Sequence, residues 1–155
     1  MSVFTIAYHS RNLIEQQTMN SAAEIQRLLE QSRERNTRLG ITGALLFNEG
    51  RFVQILEGDE PAVREVMDVI MRDPRHTDID VLPARYARER TFAHWSMAFV
   101  GASPQAKDYY RDFSLSDKLE WTSNTTDLLA ALILDLIMVQ GAVVRTGASA
   151  QQRAQ

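Results

Sequence analysis

The chain has 155 residues, 45% of them apolar and 24% charged, with a formal net charge of −3. That length supports one domain with a proper core and leaves little for a second, and the acidic balance gives no support to nucleic-acid or anionic-membrane binding as the main task. The absence of cysteine excludes disulfides, thiolate metal sites and cysteine nucleophiles.

Met1 to Ser10 carry neither a basic leader nor a long apolar run, so no signal peptide is expected and the cytoplasm is the expected compartment. Val3 to Tyr8 reads as a short strand with Phe4, Ile6 and Tyr8 on one face. Ser21 followed by Glu24 has the spacing of a capping box and predicts a helix start. Ile25, Leu28, Leu29 and Ser32 then recur at helical spacing, and Asn36 continues that stripe. Gly40 ends the helix. Ile41 to Phe47 predicts a buried strand, Asn48 to Gly50 a turn, and Arg51 to Glu57 the returning hairpin strand. In that strand Phe52, Gln54 and Leu56 point one way, and Val53, Ile55 and Glu57 the other.

Gly58 and Asp59 open a second helix with Pro61 in its first turn. Val63, Val66, Met67, Ile70 and Met71 form its apolar stripe, and Pro74 stops it. Strands are expected around Ile79 to Leu82 and from Trp95 to Val100. The order βαββαββ predicts an α+β fold of ferredoxin-like topology, with two helices on one face of the sheet. In that topology the first and third strands are central neighbours, which brings Tyr8 and Gln54 within reach of each other.

Leu128 to Val144 is strongly apolar, but it is shorter than the roughly 20 residues that span a bilayer, and Asp135 and Gln140 interrupt it. A C-terminal helix on the sheet's otherwise bare face is expected instead, through Leu129, Leu132, Ile133 and Ile137; a partner or self-association surface is the alternative. The expected organisation is a first domain over residues 1–101, a helical cap or output extension over residues 102–146, and a disordered tail over residues 147–155.

Gln54 lies between Phe52 and Leu56 on a face that should be interior. A buried primary amide left unpaired costs roughly 1–3 kcal/mol, so something polar must meet it. Tyr8 can supply a hydroxyl and Asn36 an amide. Spacing alone leaves two readings open: a site for a flat, hydrogen-bonding ligand, or a glutamine that caps a helix end or bonds a water beside a rim tyrosine.

A resemblance bears on that choice. The stretch Asn36-Thr-Arg-Leu-Gly40-Ile-Thr-Gly43-Ala-Leu-Leu, then Arg51-Phe-Val-Gln54-Ile-Leu-Glu57-Gly58, then Arg75-His76, then Trp95-Ser-Met97, resembles the BLUF family. Tyr8 at the end of the first strand completes the pattern, which covers roughly residues 2 to 100. The resemblance implies a blue-light photoreceptor that holds FAD, or another flavin with the same ring, between the two helices. It implies that Asn36 holds the polar edge of the ring, that Gln54 lies near its N5 and O4, and that Tyr8 bonds Gln54. It places Arg75 at the pyrimidine end and Ser32, Phe52, Trp95 and Met97 around the pocket. It further implies that light drives electron and proton transfer from Tyr8, then rearrangement of Gln54, with no covalent adduct, as a chain without cysteine requires. Many relatives carry asparagine where this chain has Arg35, which bears on recognition of the outer flavin group.

Trp95 and Met97 are expected on the same face as Phe99, either as sheet core or as a relay from Gln54 to the tail. His9, His76 and His94 lack metal-ligand spacing, so no metal is expected. Arg85, Arg88 and Arg90 read as a solvated basic face. Output is expected through an unidentified effector protein or a change in a homo-oligomer, with no enzyme activity in the chain and no nucleic-acid or membrane partner. The competing readings are a light-independent, ferredoxin-like ligand-binding regulator and an acylphosphatase-like hydrolase casting Arg75 and Asn36 in its site.

Overall fold

The computed structural model describes residues 2–48, 50–101 and 123–139. The elements run β1 (Val3–Asn12), α1 (Ile14–Gln17), α2 (Ser21–Leu39), β2 (Thr42–Asn48), β3 (Arg51–Gly58), α3 (Glu60–Met71), β4 (His76–Val81), β5 (Arg85–Ala87), β6 (Ala98–Val100) and α4 (Ser123–Val139). The sheet order is β4-β1-β3-β2-β6, with β5 also paired to β1. The ferredoxin-like arrangement is present, with β1 and β3 as antiparallel neighbours and β6 added parallel to β2.

Two apolar clusters divide the sheet. On one face Phe4, Ile6, Phe52 and Leu56 pack with Leu29 of α2 and with Val63, Val66 and Ile70 of α3. On the other, Ala7, Val53, Ile55 and Val100 pack against Leu129, Ile133 and Ile137 of α4. The C-terminal helix therefore covers the second face, as its apolar spacing predicts, with Leu132 half-buried at its side. Covering both faces fixes strand register, because a one-residue slip would exchange the two apolar sets.

Local starts and stops differ in detail from the sequence pattern. Asn20, not Ser21, caps α2, its side chain accepting from Ala23 N–H; adjacent cap-capable residues compete, and the one with non-helical backbone takes the role. Gly40 ends α2 in the left-handed conformation, φ 68°, where a Cβ is costly. The expected strand from Trp95 shortens to β6, and β5 and α1 are further elements. No helix among the described residues is long and apolar enough to cross a membrane, and the expected tail over residues 147–155 and much of the 102–146 extension lie outside the described residues.

Gly43 marks the tightest approach in the sheet. A Cβ there would sit 2.1 Å from the Ile55 carbonyl oxygen, a backbone atom that cannot swing aside. Gly43→Ala should therefore destabilise the chain by about 1–3 kcal/mol or more, read as a drop in thermal or urea midpoint. A midpoint equal to wild type would contradict this packing.

Candidate functional site

The site begins with a register fact: Tyr8 and Gln54 are direct cross-strand partners of β1 and β3. Both point to the face covered by α2 and α3, and both are almost fully buried, at 4% exposure each. The Tyr8 hydroxyl donates to Gln54 Oε1 at 2.5 Å. Gln54 Nε2 reaches the Met97 sulfur at 3.5 Å, a long, weak contact. Two polar groups that burial would penalise thus satisfy each other in an apolar wall.

His76 supports Tyr8 from the side. Its ring meets Tyr8 edge-on at 5.8 Å and Phe52 at 6.2 Å. Its nitrogens lie 2.7 Å from Ser10 Oγ and 2.7 Å from the Ile70 carbonyl oxygen. It is a buried, satisfied histidine, within the range the sequence allowed. No group of histidine, aspartate or glutamate among the described residues could hold a metal ion.

Between α2 and α3 a narrow cleft of about 50 Å³ opens onto this pair, walled by Tyr8, Gln54, Ser32, Arg35, Phe52 and Arg75 among others. Asn36 is wholly buried one turn beyond Ser32. Its Nδ2 donates to the Ser96 carbonyl at 2.7 Å, and its Oδ1 is buried without a partner. Arg35 likewise has a buried, unpartnered Nε. Arg35 Nε is thus an unused donor in the cleft wall, and Asn36 Oδ1 an unused acceptor one helical turn beyond Ser32, behind that wall. The pyrimidine edge of a flavin offers an N–H between two carbonyls, which is the complementary pattern, so the residues fit such a group.

Arg75 stands at the mouth of the cleft with its fork already engaged. Its Nε and Nη2 lie 2.6–3.0 Å from the Asp73 carboxylate, and Nη1 reaches Glu24 at 3.4 Å. Bonds from Asp73 raise the Arg75 pKa further. Burial works to raise Asp73, but its bonds to Arg75 outweigh this and hold the carboxyl below its ordinary value.

One expectation is corrected. Trp95 and Met97 do not share a face. Met97, fully buried, joins the α2/α3 side with Phe99 packed against it, whereas Trp95 packs half-buried against the α4 side. Residues 93–97 are not strand, so period-two alternation does not apply to them. The basic patch is also divided: Arg85 pairs with Asp127 of α4 at 2.6 Å, and Arg90 donates to Thr42 Oγ1 at 2.9 Å.

Two residues escaped the sequence reading. Glu57, 1% exposed, accepts from Thr42 Oγ1 and from the Thr91 and Phe92 N–H groups at 2.6–3.0 Å, tying the loop before Met97 to the end of β3. Arg33, 7% exposed, donates its Nε to the Met97 carbonyl at 3.0 Å. Its signal was present, since Leu29, Ser32, Arg33 and Asn36 fall on one helical stripe.

The family model for BLUF, sensors of blue-light using FAD, matches residues 3–98, and the chain belongs to the BLUF family. The photoactivated adenylate cyclase subunit beta of Euglena longa is 36% identical over 78 residues, which are 50% of this chain and 9% of that protein. The blue light- and temperature-regulated antirepressor BluF of Escherichia coli (strain K12) is 38% identical over 74 residues, which are 48% of this chain and 18% of that protein. The chain thus spans under a fifth of either curated relative. The dark-state structure of BlrB, a BLUF protein, superposes with a TM-score of 0.72 at 30% identity, covering 86% of this chain and 96% of that one. BLUF domains bind flavin.

Burial pushes the Tyr8 phenol well above its ordinary pKa, nearby Asp73 adds to this, and Arg35 opposes it. The folded state then holds a proton that the unfolded chain releases near pH 10, so this contribution to stability is intact below pH 10 and is lost as pH rises beyond it. In alkaline titration of the folded protein, Tyr8→Phe should leave the tyrosinate absorbance up to about pH 11 unchanged. A loss of absorbance in the variant would show that Tyr8 ionises with an ordinary pKa.

Proposed function

We propose that this chain is a blue-light photoreceptor that holds FAD without covalent attachment and acts through a separate partner protein or through altered self-assembly. The observation that carries the reading is the buried Tyr8–Gln54 hydrogen bond facing the cleft. Asn36 Oδ1 would accept from the ring's N–H, Arg35 would donate to a ring or side-chain oxygen, and Ser32 and Phe52 would line the ring. Arg75, bound to Asp73, would close the mouth.

A bound flavin absorbs blue light and supplies a strong excited-state oxidant. The chain's own part is proton management. Removing an electron from Tyr8 turns its phenol into a strong acid, and the acceptor in place is Gln54 Oε1. A protonated or rotated Gln54 amide presents donors where it presented an acceptor, and its contact to Met97 Sδ must change. The two arrangements differ by a few hydrogen bonds in one cavity, so their free energies can lie close and the dark arrangement can return thermally.

Residues 1–101 serve in this reading as the sensor and residues 102–146 as the extension that passes the change on. Its support is the apolar packing of α4 against the sheet face opposite the cleft. The hydrolase reading fits the geometry poorly, because Arg75 is committed to Asp73 and Asn36 to the Ser96 carbonyl.

Purified protein should show flavin absorbance, a reversible red shift under blue light, and FAD on release of the cofactor. Colourless protein would refute the proposal. Tyr8→Phe should keep flavin and lose the red shift; a shift that persists would rule out the Tyr8 mechanism. Asn36→Ala, which removes one buried hydrogen bond, should weaken flavin binding about tenfold, measured by titration of the apoprotein.

A further inference from the structure

The non-strand segment ahead of β6 is held almost wholly by groups distant in sequence. The Trp95 carbonyl accepts from Gly43 N–H at 3.1 Å, the Ser96 carbonyl from Asn36 Nδ2 at 2.7 Å, and the Met97 carbonyl from Arg33 Nε at 3.0 Å. Two of these three donors are side chains on the buried face of α2. Arg33 is unusual among them. It is 7% exposed, its Nη2 is buried with no partner, and among the described residues no carboxylate bonds it, Glu30 acting on it only through its charge. Burial lowers its hold on its proton.

A buried, incompletely paired guanidinium is a poor stabiliser, and an apolar side chain of similar volume often serves as well or better. What the guanidinium does supply is direction: a planar N–H fixed on a carbonyl. That carbonyl belongs to the residue whose sulfur lies against Gln54 Nε2. From this geometry we infer that Arg33 is a positioning residue, fixing the Met97 backbone so that its thioether meets the Gln54 amide and biases that amide toward the orientation in which Oε1 accepts from Tyr8. Helix α2 thereby reads the state of Gln54 through Arg33, from the side of the sheet opposite α4. The inference rests on the photoreceptor reading for its kinetic consequence but not for its structural one.

The test uses full-length protein carrying methyl-labelled methionine, with wild type, Arg33→Met, Arg33→Lys and the exposed-site control Arg38→Met. Two quantities are read: the Met97 methyl resonance in the dark, with and without flavin, and the rate of dark recovery after blue light. Arg33→Met should bind flavin stoichiometrically, move the Met97 resonance and change the recovery rate at least fivefold. Arg33→Lys, which restores a donor without the planar fork, should fall between it and wild type, and Arg38→Met should match wild type. A variant that melts earlier yet keeps the wild-type resonance and recovery rate would reduce Arg33 to a structural role and overturn the inference. If Arg33→Met does not fold, Arg33→Lys carries both measurements, and wild-type values for it would count against the inference. Wild type that shows no light response would sink the photoreceptor reading alone, because the Met97 resonance of the flavin-free proteins still tests the positioning.

Discussion

The Tyr8–Gln54 pair depends on strand register more than on any property of the two side chains. Both residues sit in apolar strands, on faces where a polar group is tolerated only if another polar group meets it. They meet because β1 and β3 pair them directly, and that register is fixed because both faces of the sheet are covered. A slip of one residue would turn Tyr8 and Gln54 toward α4 and leave Ala7 and Ile55 facing the cleft. The hydrophobic pattern that folds the sheet therefore also sets the hydrogen bond on which the proposed function turns.

The two covered faces give the sheet two readers. On the cleft side, Met97 touches Gln54, and Arg33 and Asn36 hold its segment from α2. On the other side, Trp95 and the neighbours of Gln54 in β3, Val53 and Ile55, pack into the cluster completed by α4. Glu57, on that second face, ties the 91–92 loop to the same strand that carries Gln54. A change in one amide can thus strain a short segment anchored at both faces. The burial of charge at Arg33 and Glu57 makes sense in these terms, since neither is a cheap way to gain stability.

Much of this was legible in the sequence because it follows from short-range periodicity. Period-two alternation in β3 placed Gln54 with Phe52 and Leu56, and helical spacing placed Ser32 and Asn36 on one stripe. The apolar spacing of Leu129, Ile133 and Ile137 predicted a helix on the bare face. What stayed hidden depends on bonds between residues far apart. The opposite facing of Trp95 and Met97 arises where strand geometry stops and side-chain donors from α2 take over. Sequence alternation placed Glu57 on the face of Val53 and Ile55 but not its bonds, because its partners Thr91 and Phe92 lie in a loop with no periodic signal. The engagement of Arg75 by Asp73 is local, two residues apart, but only the closed geometry shows that it leaves Arg35 as the cleft's unpaired donor.

The central claim is that the Gln54 amide is the element that switches. The direct measurement is the side-chain amide resonance of Gln54 in isotope-labelled, flavin-bound protein, recorded in the dark, under blue light and during recovery. The account predicts that this resonance moves on illumination, returns at the rate of the absorption change, and stays still in Tyr8→Phe. A flavin band that shifts and recovers while the Gln54 amide keeps its dark resonance would contradict it.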